Sequence, residues 1–349
     1  MQFIKETNID FVGVKKVAFT VSLVLIAISI LSLIIHKGPR YGVDFSGGSS
    51  VQVKFEGPVS IDAVKKGLAP AGLEDATVQR FGSKADNEFQ LRSKAAFTSD
   101  SNFTDNLKSA MLDATGVAVK DLSLDVVGPQ VSKDLRQKAL LAMFYALLFI
   151  IIYISGRFEL KWGLSGAMAA ILGSAVYGVS QLQNIAIISS GMPLLIITAL
   201  VVSLFFCWKL DLKFAMGAIV ALIHDVTITV GIFSVMGIEF TLPIIAALLT
   251  IIGYSLNDTI IVFDRIRENT KKHARKDLSF IINRSVNETL SRTILTSVTT
   301  LVVVIALFVL GGGVIHDFAF AMIIGVLTGT YSSIYVASPI LMAWGTEEG

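Results

Sequence analysis

IVALIHDVTITVGIF, residues 219–233, sets His224 and Asp225 inside an apolar run. Apart from this pair, the 25 residues between Lys213 and Glu239 carry no ionisable side chain. A helix of that length, rising about 1.5 Å per residue, crosses a bilayer core and leaves Asp225 near its middle. An aspartate at the centre of a membrane helix costs about 2.5–3.5 kcal/mol. Something must offset that cost, and an ionisable group at such depth points to a functional site.

Working outward, the composition agrees. With 53% hydrophobic residues, 16% charged and a mean hydropathy of +0.71, the chain is a polytopic α-helical membrane protein and not a soluble enzyme. The net charge of +2 says little by itself. Cys207 is the single cysteine, so no internal disulfide forms, and no zinc or haem spacing occurs. No metal, cofactor or nucleic-acid partner is expected.

Eight spans are expected, near 17–35, 138–155, 163–181, 192–208, 214–236, 241–263, 294–311 and 318–342. The first, in residues 1–36, follows Lys5, Lys15 and Lys16 and reads as an uncleaved anchor with a cytoplasmic N-terminus. Residues 37–136 turn polar and form one extracytoplasmic domain. Its strands and helices follow the order β-α-β-β-α-β, which suggests a ferredoxin-like α+β layer. A span at 137–156 comes next, then a pair at 157–208 and the spans of 209–263. Residues 264–292 form a basic loop, placed in the cytoplasm by the positive-inside rule, and 293–349 hold the last two spans and a short cytoplasmic C-terminus. Trp162, Trp208 and Trp344 fall at cytoplasmic span ends, where indoles favour the interface.

The chain also echoes itself. RFELKWGLSGAMAAILGS from Arg157 and KLDLKFAMGAIVALIHD from Lys209 share a basic, apolar, acidic, Leu, Lys, aromatic order at an offset of 52 residues. Duplication and a chance recurrence of basic-aromatic connectors both account for it.

Neighbouring helical residues point about 100° apart, so His224 and Asp225 are not expected to satisfy each other, while Thr229 shares the Asp225 face. Partners should come from other spans. Thr293, Thr296, Ser297 and Thr300 form a hydroxyl stripe capped by Arg292, and Asn257 and Asp258 lie within a membrane segment that Gly253 and Ser255 should loosen. The stripe reads as close helix packing or as a proton path, Asn257–Asp258 as a span end or a site, and His224 as polar packing or a relay.

YGVDFSGGSSVQVKF, ALIHDVTITVG, GYSLNDTIIVFDRIREN, SRTILTSVTT and SSIYVASPI together resemble the SecF family, subunits of the bacterial SecDF protein-export complex related to the RND transporters. The resemblance covers most of the chain. It implies six spans, one external domain, and use of the proton-motive force in the cytoplasmic (inner) membrane. Partners implied are a SecD-like subunit, the SecYEG channel, unfolded exported polypeptides and the lipid bilayer. It also implies that Asp225 is the membrane proton carboxylate and Arg292 its partner, that Asp44, Phe45, Gly47 and Gly48 are the DFxGG segment, and that Asp264 and Arg265 belong to the GYSLND…FDRIRE run. Two spans, about 157–208, exceed the family's six. The domain is expected to swing as a rigid body about Lys37–Gly42 and Gly128–Arg136. An RND-type small-molecule exporter is the alternative.

Overall fold

The computed structural model describes residues 7–70, 73, 76–81, 87–93, 101–181 and 186–342. Trp344 and the C-terminal segment lie outside the described residues. Among the described residues, seven helices are long and apolar enough to cross a membrane. They are α1 (Lys15–Ile35), α5 (Pro129–Glu159), α6 (Trp162–Gln181), α8 (Lys213–Met236), α9 (Leu242–Lys272), α10 (Leu278–Leu310) and the segment Val314–Met342. That last segment joins α11 (Gly313–Ser332), a π-helical turn (Ser333–Ala337) and α12 (Ser338–Met342). The span expected at 192–208 falls on α7 (Ala186–Lys209), whose described apolar stretch, Leu194–Lys209, is shorter.

Between α1 and α5 lie α2 (Val43–Ser46), β1 (Gly48–Phe55), α3 (Ile61–Leu68), β2 (Thr77–Phe81), β3 (Glu88–Ser93), α4 (Ser101–Thr115) and β4 (Val119–Val127). The strands pair antiparallel in the order β2-β3-β1-β4. Val51, Val53, Phe55, Phe89 and Leu91 alternate onto one face and bury against Val64 and Leu68 of α3 and Leu107 and Met111 of α4. Ser60 opens α3 by accepting the Ala63 N–H.

Two expectations need correction. The basic stretch 264–292 is mostly helix, because α9 and α10 run on as a hairpin with a short turn between Lys272 and Leu278. Helix-forming Arg, Lys and Glu carry it, and Arg265 bridges Glu268 and Glu288 while Asn269 donates across to Ser285 and Glu288. Secondly, Gly253 does not loosen α9, which continues unbroken through it. Its flanking apolar residues supply enough helical packing to absorb the glycine.

Helices α8 and α11 occupy the centre. Helix α8 packs against α1, α5, α9 and α11, and α11 against α9 and α10. Glycines set the closest approach, since a Cβ on Gly325 would lie 2.2 Å from Ile251 and one on Gly329 2.9 Å from Ser255. Helices α1 and α8 run parallel, with Ser29 against Gly231 and Ser32 bonded to Ser234 at 2.9 Å. The extra pair lies to one side: α6 packs chiefly on α5 and α7, and α7 on α5 and α8.

Candidate membrane carboxylate site

Asp225 is fully buried on α8. Its Oδ2 accepts from Ser255 Oγ of α9 at 2.6 Å and from Ser332 Oγ of α11 at 2.8 Å. Its Oδ1 meets the Nδ1 of His224 at 2.9 Å, contrary to the expectation that helical neighbours cannot pair. The Cβ directions do diverge, but the imidazole is long enough to fold back along the helix surface. Thr229 bonds the main-chain oxygen of Asp225, not the carboxylate.

The chain of donors continues to α1. Tyr331 donates to the Ala18 carbonyl (2.7 Å), Ser22 donates to Tyr331 (3.3 Å), and His224 Nε2 lies 3.1 Å from Ser22 Oγ, its ring stacked on Tyr331. With the Ser22 proton committed to Tyr331, Nε2 is the donor to Ser22. The His224–Asp225 pair then holds one proton between Nδ1 and Oδ1 and carries no net charge. That neutrality lowers the cost of burying it.

Asp258 is buried too, on α9 one turn beyond Ser255, and among the described residues neither carboxylate oxygen makes a hydrogen bond of good geometry, although the Ser297 hydroxyl of α10 acts on it. The positive charge of Arg292 acts on Asp258, whereas none of the hydrogen bonds to the Asp225 carboxylate comes from α10. Among the described residues no ion pair joins Arg292 to either carboxylate: its charge acts on Asp258, while side chains of α8, α9 and α11 meet Asp225. Asn257 and Arg292 line a cleft of about 600 Å³ with Arg157, Asp264, Arg265 and Glu288. Arg157 pairs with Asp264 at 2.5 Å.

The hydroxyl stripe divides. Thr296 and Thr300 return their protons to their own helix, bonding the Arg292 and Thr296 carbonyls. Ser297 reaches Thr330 of α11 at 2.6 Å, and Thr293 is buried with its hydroxyl unpartnered. Ser22, Tyr331 and Ser332 were not singled out from the sequence. The signal for α11 was Gly325-x-x-x-Gly329, a small-residue spacing for close helix contact.

The DFSGG segment sits at the other end of α9. Asp44 Oδ2 accepts the Leu242 N–H at 2.9 Å, and Phe45 is buried with Phe233, Phe240 and Ile244. Gly47 and Gly48 have φ of +74° and +109°, which glycine adopts without penalty. Tyr41 forms a parallel bridge with Phe240, under the guanidinium of Arg136. Burial pushes the Tyr41 phenol pKa up and Arg136 pulls against it. Arg92 of β3 pairs with Glu239. The proposed hinge at Lys37–Gly42 is thus pinned at its far end, and at the other hinge Gly128 leads straight into α5.

Two family profiles match the chain. One, "Protein export membrane protein SecD/SecF, C-terminal", matches residues 107–180 and 174–347, and the other, "SecD/SecF GG Motif", residues 32–59. A protein translocase subunit SecF of Magnetococcus marinus is 42% identical over 347 residues, covering 97% of this chain and 93% of that one. The SecF subunit of Vibrio alginolyticus is 38% identical over 343 residues, covering 98% and 92%. Among solved structures, the translocon-associated SecDF from Thermus thermophilus superposes with a TM-score of 0.69 at 30% identity, over 97% of this chain and 39% of its own. SecDF in its super-membrane-facing form gives 0.56 at 27% identity, over 99% and 40%. The chain spans about two fifths of those SecDF chains.

Proposed function

The chain belongs to the SecF family of protein translocase subunits, a multi-pass membrane accessory of Sec protein export that works with SecD, and from that premise we propose that it couples proton movement to the outward passage of unfolded polypeptide. One observation carries this reading: Asp258 is buried and, among the described residues, its carboxylate makes no hydrogen bond of good geometry, while Ser297 and the charge of Arg292 act on it and the neighbouring Asn257 lines a cleft with Arg292. A buried carboxylate held so weakly has reason to exchange its proton with water or its charge with the arginine. Asp258 is the group that gains and loses the proton. Asp225 and His224 hold a second proton in a satisfied network, joined to Asp258 through Ser255 on the same helix face. Thr293 and Ser297 line the approach from α10, with Asn257 at the mouth.

We infer further that the chain lies in the bacterial inner membrane with both termini cytoplasmic, beside SecYEG. The strand order β2-β3-β1-β4 with two helices on one face favours a ferredoxin-like class for residues 37–136. For 157–208, a profile that meets the chain in two overlapping stretches favours duplication.

The test is proton-driven export from reconstituted vesicles. Asp258→Asn should assemble normally and lose the stimulation that an imposed proton gradient gives. Full gradient dependence in that variant would falsify the assignment.

A further inference from the structure

We propose that Asp44 is a positioning residue that caps α9 from the external segment and so ties the placement of the four-stranded domain to the helix carrying Ser255 and Asp258. The proposal rests on the proton-coupling reading above and names the route by which that site and the domain feel each other.

Helix α9 lacks an adequate cap of its own. Thr241 stands at its N-cap but makes no side-chain capping bond, and Pro243 has no N–H to offer. The Leu242 N–H is met instead by the Asp44 carboxylate, from a residue 198 positions earlier. A carboxylate there also complements the positive end of the helix dipole. Around it the fit is tight: Gly42 N–H donates to Phe240 O and Phe240 N–H to Arg40 O, each at 2.7 Å. A Cβ on Gly42 would lie 2.9 Å from Thr241 Cγ2 and 3.0 Å from Phe240 O.

The charged groups gathered at this junction come from β3, the α8–α9 turn, α11 and α5. Arg92 of β3 lies in the field of both Asp44 and Asp317 and pairs with Glu239 of the α8–α9 turn. His316 bonds Asp317 at the start of α11, and Arg136 of α5 donates to the Phe45 carbonyl. The domain's Arg92 therefore enters a ring of carboxylates, and one member of that ring caps α9. From Leu242 to Asp258 the helix runs about 24 Å without a break. The domain and the Asp258 end of α9 move as one body, while α1 and α5 act as tethers.

The full chain, reconstituted with its translocation partners, tests this by two readouts. In Asp44→Ala, amide exchange over Ile244–Ala247 rises about fivefold, the factor expected for a lost cap of ordinary strength. The midpoint of gradient-driven export against pH also shifts, by up to about 0.7 of a unit if all of that effect reaches Asp258. Asp44→Asn keeps an oxygen acceptor and leaves exchange near the wild-type rate. Gly42→Ala, which crowds the same turn without altering charge, shifts the midpoint as well. Raised exchange with an unmoved midpoint in both Asp44→Ala and Gly42→Ala makes Asp44 a structural cap only and overturns the proposal, as does unchanged exchange. Loss of gradient dependence in Asp258→Asn alongside either result leaves the function standing, so the two failures are distinguishable.

Discussion

His224 and Asp225 announce themselves by residue type, but their use is set by partners no single-helix argument supplies. Asp225 holds two serine donors and an imidazole, while among the described residues Asp258 holds no hydrogen bond of good geometry. The two carboxylates should therefore respond unequally to removal. Asp225→Leu strands the Ser255 hydroxyl and the His224 Nδ1 in an apolar interior, while Ser332 keeps the Gly329 carbonyl, and each unsatisfied group costs about 1–3 kcal/mol. Asp258→Leu removes only the weaker contacts with Ser297 and Arg292 and should cost less. Thermal unfolding of the purified protein in detergent decides it; a similar loss in both variants would mean that Asp258 is held as firmly as Asp225. Asp225→Asn should fold, because its amide can donate to the neutral imidazole while its oxygen keeps both serines.

Among the elements, α9 and α11 make a close contact, and two glycines that look alike in sequence differ there. A methyl on Gly329 would meet Ser255 at 2.9 Å, whereas one on Gly253 would meet no heavy atom within 4 Å. Gly329→Ala should cost about 1–3 kcal/mol and draw Ser255 away from Asp225. Gly253→Ala should be neutral or stabilise by up to about 1 kcal/mol. Unfolding midpoints of the pair, compared side by side, check both. The apolar runs made the spans legible, and the strand alternation made the external domain legible, because both follow from local periodicity. Which carboxylate Arg292 acts on is not legible in the sequence, because Asp225 and Asp258 lie on different helices and only packing decides which of them α10 faces.

For the whole molecule, the junction of domain and membrane body is pinned by backbone pairing, by the Asp44 cap and by Arg92–Glu239. A free swing at Lys37–Gly42 would break all three. With Cys207 first replaced, Tyr41→Cys combined with Phe240→Cys should form a disulfide readily, since bridged neighbours lie about 5 Å apart. Export should continue at close to the wild-type rate with that link closed. A locked junction that stops export would show the domain must part from α9 during the cycle.

The parallel seam of α1 and α8 also bears on how the protein is made. Ser22 meets His224, and Ser32 meets Ser234, across 202 residues. At about 5–20 residues per second, a ribosome needs about 10–40 s to deliver the second helix after the first. For that interval α1 waits in lipid with its future partners unsynthesised. Hydroxyls tolerate the wait, because a serine can bond its own helix, as Ser29 does with the Leu25 carbonyl at 2.8 Å. A carboxylate could not. The ionisable pair is placed on the later helix, which inserts beside an α1 already carrying the serine that receives it.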